Sequence, residues 1–202
     1  MISIACRTAI ALAATASVLA LPACRSGVAP ARAGSDAVDA SGRLHVPKGY
    51  QTSFQLLGSW AAAKDEGPGS HELHVVYAAP GVIDAYRRDG QVPDGAVLVK
   101  EVHTAATAPM TTGTISRADQ LLGWFVMVRD RSGKHAPNDV WGDGWGWGWF
   151  DAGNPDIASR RLPTKDGIPK ATLNYRQNCK PCHAPAEATE WIFIDGYPPL
   201  KR

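Results

Sequence analysis

Beyond residue 70 the apolar positions of this chain fall in short runs and two-residue alternations broken by Gly, Pro and Asp, without the three-and-four spacing of long amphipathic helices. Segments 72–78 (ELHVVYA), 95–103 (GAVLVKEVH), 123–130 (GWFVMVRD), 144–150 (GWGWGWF) and 190–195 (EWIFID) are rich in β-branched and aromatic residues, which predicts strands. One helix is expected over 79–90, with Pro80 in its first turn, Val82 and Tyr86 one turn apart, and Gly90 as its stop. Segment 168–179 (IPKATLNYRQNC) reads as a helix or turn. Too few segments are long enough to serve as crossovers between parallel strands. The fold class expected is therefore α+β, a mainly antiparallel β-sheet with a few short helices.

Within 96–102 the period-two rule puts Ala96, Leu98, Lys100 and Val102 on one face and Val97, Val99 and Glu101 on the other. Both faces are largely apolar, so Lys100 stands out. Burying an ammonium costs several kcal/mol unless it is paired or neutralised, and a neutral, desolvated amine is a nucleophile. The alternative is an edge-strand lysine that reaches water or pairs with a carboxylate. Glu72 and His74 share a face of their strand while His71 takes the other. That pair is either a proton acceptor for a nearby site or a polar strand entry at the surface. In 141–150 (WGDGWGWGWF) one continuous strand would align Trp141, Asp143, Trp145, Trp147 and Trp149 on one face. The bare glycine face would then admit a backbone or a flat ring, with core or dimer packing as the expected use.

The first 24 residues carry one early positive charge at Arg7, an apolar run and then small residues, the pattern of an export signal. Leu21-Pro22-Ala23-Cys24 resembles a bacterial lipobox, which would anchor the mature protein by a lipid on Cys24, although Pro22 departs from the usual small residue. Simple cleavage nearby is the alternative. Residues 25–40 are small and polar and read as a flexible linker, leaving 41–202 as one domain. The expected location is periplasmic. With a formal net charge of +2 and no basic run, nucleic acid is not an expected partner.

The chain has four cysteines, and Cys6 would leave with the signal. Cys179 and Cys182 precede His183 in CKPCH, a C-x-x-C-H spacing that lets two thiols bond one haem while the histidine ligates its iron. A zinc site would want a second dense Cys/His cluster, and the other histidines are scattered singly. A thioredoxin-like redox pair would normally open a helix after a strand of a βαβ unit, and this motif lies near the chain end. A structural disulfide is the remaining alternative. One covalent haem c with its iron per chain, the signature of a mono-haem c-type cytochrome, is the expected cofactor.

A strand-rich chain ending in this motif resembles the cytochrome P-460 family and its relative cytochrome c′-beta. The resemblance rests on residues 69–102, on WGDGWGW at 141–147 and on residues 179–200, and most of all on PDGAVLVKEV (93–102) far upstream of a terminal C-x-x-C-H. It implies that Lys100 is bonded covalently to a meso carbon of the haem, that the protein is a homodimer, and that it oxidises hydroxylamine. An external electron acceptor, such as another c-type cytochrome, would be needed. Relatives competent in that oxidation carry a carboxylate a few residues before the first haem cysteine, whereas 172–178 (TLNYRQN) contains none.

A sixth iron ligand would have to come from Met110 or Met127. Met127 is expected in the core and Met110 in a loop. An open iron is the expected state. Three functions follow: hydroxylamine oxidation, with Lys100, Glu72 and His74 as catalytic candidates; nitric oxide binding without turnover; and electron carriage, which would need Met110 on the iron.

Overall fold

Short elements follow one another closely: α1 (Tyr50–Ser53), β1 (Gln55–Ala63), β2 (Ser70–Ala78), α2 (Val82–Asp89), β3 (Val97–Met110), β4 (Gly113–Arg129), β5 (Trp141–Gly142), β6 (Trp145–Asp151), α3 (Tyr175–Asn178) and α4 (Lys180–His183). Three 3₁₀ turns end the chain, at Ala184–Thr189, Ile194–Gly196 and Pro198–Leu200. The computed structural model describes residues 36–159 and 173–201; the leader, Cys24, the linker up to residue 35 and the start of the 168–179 segment lie outside them. The chain joins the fold just before the expected domain start, because Ala37 is buried and Val38 bridges to Leu44.

The described strands form one antiparallel sheet in the order β1-β2-β3-β4-β6-β5, the α+β architecture expected. β3 and β4 outrun their neighbours as a hairpin arm that pairs Met110 with Gly113 at its tip. β1 has no counterpart among the expected strands. Its sequence, QLLGSWAAA, holds Gly58 and three alanines, poor strand formers held here by pairing with β2. Between Leu56 and Gly58 the register shifts, and Leu57 at that bulge is buried. α2 ends as predicted: Gly90 takes the left-handed conformation and its N–H bonds the Tyr86 carbonyl at 2.7 Å.

Two expectations are corrected. Segment 190–195 is not a strand: Glu190 and Trp191 both sit at left-handed φ, +62° and +65°, which breaks any extended run. The tryptophan stretch is a hairpin and not one strand. Asp143 and Gly144 both have positive φ and make the two-residue turn, so Trp141 returns on β5 opposite Gly146. Trp145, Trp147 and Trp149 share one face, while Trp141 stands on the other. The glycines receive flat rings as the sequence implied: Trp141 lies over Gly146, Phe150 over Gly148 and Tyr175 over Gly142.

Register then fixes what each face presents. Gly58, Val76, Lys100, Phe125 and Trp149 run across the sheet as successive partners, and Ala78, Leu98, Met127 and Trp147 form the next row. This face is covered by the C-terminal segment. On the reverse face Val97, Val99, Val126 and Val128 are buried, and Tyr50 of α1 bonds Glu101 while accepting from Trp124 Nε1 at 2.7 Å. Gln51 and His103 complete the partners of Glu101, at 2.7 and 3.1 Å. A buried carboxylate on an apolar sheet face is tolerable only with such partners.

Candidate functional site

Between the sheet and the C-terminal segment lies a cavity of about 280 Å³. The sheet gives it Trp60, Lys100, Phe125, Met127 and Trp147. The C-terminal segment adds Cys179, Cys182, His183, Phe193 and Tyr197. Its size is near the lower end of the roughly 300–1,000 Å³ usual for cofactor clefts, and its walls are mostly apolar. Phe193, 47% exposed, and the exposed Cys182 mark its mouth.

The motif is set on α3 and α4, which follow each other with Cys179 between them. Asn174 caps α3 by accepting the Arg176 N–H at 3.0 Å. Tyr175 stacks on Trp147 at 6.2 Å and 7°. The Lys180 ammonium donates to Asp143 in the β5–β6 turn at 3.0 Å. Cys179 is buried and its thiol is pushed up to about 12, first by that burial and then by neighbouring Cys182, with Lys100 opposing. Neither thiol is in a disulfide.

His183 Nδ1 donates to the Trp191 carbonyl at 2.7 Å. A carbonyl can only accept, so Nδ1 carries the proton and Nε2 keeps its lone pair. Burial holds the imidazole below its ordinary value of 6.5, with the Trp191 contact opposing and Lys100 reinforcing. The ring is wedged edge-on against Trp147 at 5.1 Å and lies 5.8 Å from Phe193. Two reduced thiols beside one imidazole with a free lone pair, in an apolar cleft, are the donors a haem edge and its iron require. Among the described residues no group of three or more His, Cys, Asp or Glu side chains is gathered as a zinc ion would need.

Lys100 faces this cleft from the first third of β3. Its Nζ lies 4.3 Å from the centroid of the Phe125 ring and 5.7 Å from that of Trp60. Burial lowers its pKa from 10.5 to about 8, partly opposed by Glu72, Cys179 and Cys182. The amine still holds its proton for most of the time at neutral pH, but burial brings its neutral, nucleophilic form within about one pH unit instead of three.

A family model described as Cytochrome P460 matches residues 47–194, a span holding the sheet, Lys100 and the C-x-x-C-H motif. The chain belongs to the cytochrome P460 family. Membership in this cytochrome family implies haem and its iron, which the donors in the cleft fit. No curated relative matches the chain.

The other predicted residues are placed less centrally. Glu72 and His74 share the cleft face of β2 and bond to each other at 3.1 Å, but they stand beside the cleft and not in its wall. The Trp60 ring packs 5.4 Å from His74. Because a carboxylate accepts, His74 Nε2 donates to Glu72, leaving Nδ1 buried and without a partner. Burial lowers the His74 pKa, with Lys100 adding to that and Glu72 opposing. Met110, 58% exposed at the hairpin tip, lies outside the cleft. Met127 packs against the core as expected and also lines the cleft, beside Trp147. Sequence reasoning missed Trp60, Phe125 and Tyr197. For Phe125 the signal was present, since it alternates with Met127 opposite Lys100; Trp60 lay in a strand too weak to recognise.

Proposed function

We propose that this chain is an exported, mono-haem c-type cytochrome that oxidises hydroxylamine and handles nitric oxide. The observation that carries the reading is the desolvated Lys100 amine inside the cleft that Cys179, Cys182 and His183 line. Cys179 and Cys182 would hold the haem by thioether bonds, His183 Nε2 would bind its iron, and Lys100 would bond the macrocycle. When bound, the haem supplies a redox-active iron with one coordination position free for a small nitrogen ligand.

The chain's own residues orient and deprotonate. Phe125, Trp60 and Met127 make the walls apolar, which favours a small, weakly charged substrate. His74, packed on Trp60 beside the cleft, keeps a buried nitrogen without a partner. Its Nδ1 would accept substrate protons through a shift of the Trp60 ring, while Glu72 stabilises the imidazolium that results. The electrons are taken by an external acceptor, such as a second c-type cytochrome, at the mouth beside Phe193. Export places the protein in the periplasm, with a lipid on Cys24 as its anchor, and a homodimer as its assembly.

A second reading, nitric oxide binding without turnover, is favoured by one fact: among the described residues no Asp or Glu lines the cleft. Steady-state oxidation of hydroxylamine by the mature protein with an artificial acceptor separates the two. Turnover that falls at least tenfold in His74→Ala supports the enzyme. Tight nitric oxide binding with no hydroxylamine-dependent reduction of the acceptor supports the binding protein.

A further inference from the structure

The loop after the haem motif is held by charge. One oxygen of Glu190, Oε2, receives Arg129 Nη2 and Arg131 Nη2, each at 2.9 Å. Glu190 is 18% exposed and Arg129 11%, so this pair is largely out of solvent, where ion pairs are strong and their rupture costly. Arg129 does more than neutralise. Its Nη1 donates to the Gly144 carbonyl at 2.6 Å, and its guanidinium lies 5.1 Å from the centre of the Trp145 ring. Gly144 belongs to the turn whose Asp143 holds Lys180 of the motif. One side chain at the end of β4 thus ties both the turn that grips α4 from one side and the loop that follows it on the other.

That loop is under conformational demand. Glu190 and Trp191 are consecutive residues in the left-handed region, at +62° and +65°, and neither is glycine. Such a pair persists only where surrounding contacts over-determine it. Besides the loop's own backbone bonds, from Trp191 N–H to the Ala186 carbonyl at 2.8 Å among them, this geometry points the Trp191 carbonyl at His183 Nδ1, 2.7 Å away. Nothing in the hydroxylamine chemistry above uses Arg129, Arg131 or Glu190.

We propose that Glu190, gripped by Arg129 and Arg131, is a positioning residue for His183. It fixes the Trp191 carbonyl that accepts the imidazole N–H bond, and so sets how electron-rich Nε2 is toward the iron. Partners in the second layer around a metal-bound histidine govern both its orientation and its basicity. A firm Nδ1–H to carbonyl bond gives the imidazole more anionic character and favours ferric iron. A slack one makes it a poorer donor and favours ferrous iron. Releasing Glu190 lets the two left-handed residues relax, moves the carbonyl and raises the midpoint potential. This inference rests on the reading that His183 is the axial ligand.

The test uses mature holoprotein: wild type, Glu190→Ala, Glu190→Gln and Arg131→Gln. Two quantities are read, the midpoint potential by spectroelectrochemistry and the ferrous iron–histidine stretch by resonance Raman. Glu190→Ala is expected to shift the ferrous-to-ferric ratio about tenfold at fixed potential, about 59 mV upward for one electron, and to lower the stretching frequency. Glu190→Gln, which keeps an acceptor oxygen for one arginine, is expected to recover part of both shifts. A Glu190→Ala protein that melts earlier but keeps the wild-type potential and stretch overturns the proposal. Should Glu190→Ala fail to accumulate, Arg131→Gln decides. Arg131 is the more exposed partner, at 38%, and its loss leaves the Arg129 contact in place. A smaller shift in the same direction supports the clamp, and wild-type values overturn it. A wild type without an iron–histidine band refutes the axial role of His183, and the clamp with it. A wild type that shows the band while no variant moves it refutes the clamp alone.

Discussion

Replacing Lys100 by Met in the haem-free chain tests the acidity on which its proposed chemistry depends. The amine's pKa is 10.5 in the unfolded chain and about 8 in the fold, because the side chain is desolvated between Phe125 and Trp60. Below pH 8 the group is charged in both states, so the fold carries the whole cost of burying an ammonium. At about 1.4 kcal/mol per pKa unit that cost is about 3 kcal/mol. As pH rises from 8 to 10.5 the unfolded chain binds more protons than the folded one, stability increases, and the cost disappears. Met fills the same volume without the charge and forfeits only the contact of the ammonium with two ring faces. Lys100→Met should therefore be more stable than wild type by about 2 kcal/mol at pH 7, with no gain near pH 11. Urea unfolding followed by tryptophan fluorescence at both pH values measures this. An equal gain at both would show that volume and not charge is responsible, and a loss at pH 7 would refute the desolvated amine.

Two further predictions concern the frame around the cleft. A Cβ at Gly142 would lie 1.8 Å from the Tyr175 hydroxyl, so Gly142→Ala must displace the residue that opens α3 just before Cys179. A loss of about 1–3 kcal/mol in thermal unfolding, with poorer haem incorporation by absorbance, is expected; unchanged incorporation would show that α3 moves freely. Glu101→Ala strips Tyr50, Gln51 and His103 of their common acceptor on the reverse face of the sheet. Stability should fall by about 3 kcal/mol while the haem spectrum is untouched, and a changed spectrum would show that the two faces communicate.

What the sequence disclosed follows from where each constraint resides. The strands that it showed are those whose own residues prefer them: the valines of β2, β3 and β4 and the tryptophans of β6. β1 was hidden because Gly58 and Ala61–Ala63 have no such preference and are ordered by their neighbour. Segment 190–195 misled for the opposite reason. Its β-favouring residues are overruled by long-range contacts, among them the arginines on Glu190, that hold two residues at left-handed φ. The Asp143-Gly144 turn was present in the letters as a hairpin signal but was submerged in the regular alternation of Trp and Gly. In the site, Cys179, Cys182 and His183 were readable because their chemistry depends on adjacent positions. Lys100 was readable as a charge on an apolar face. Trp60, Phe125 and Tyr197 were not, since only cross-strand register and the return of the C-terminus bring them together.

The central claim is that Lys100 and the C-x-x-C-H motif hold one macrocycle, and the most direct measurement is tryptic mapping with an absorption spectrum of the mature protein. Lys100 bonded to a meso carbon interrupts the conjugation of the porphyrin and moves its bands to the red of an ordinary c-type haem. The wild type should yield one haem-linked species joining the segment around Lys100 to that holding Cys179 and Cys182. Lys100→Leu should keep the thioether-bound haem and return to an ordinary c-type spectrum. A wild type that already shows the ordinary spectrum, with the Lys100 peptide recovered free of haem, would contradict the account.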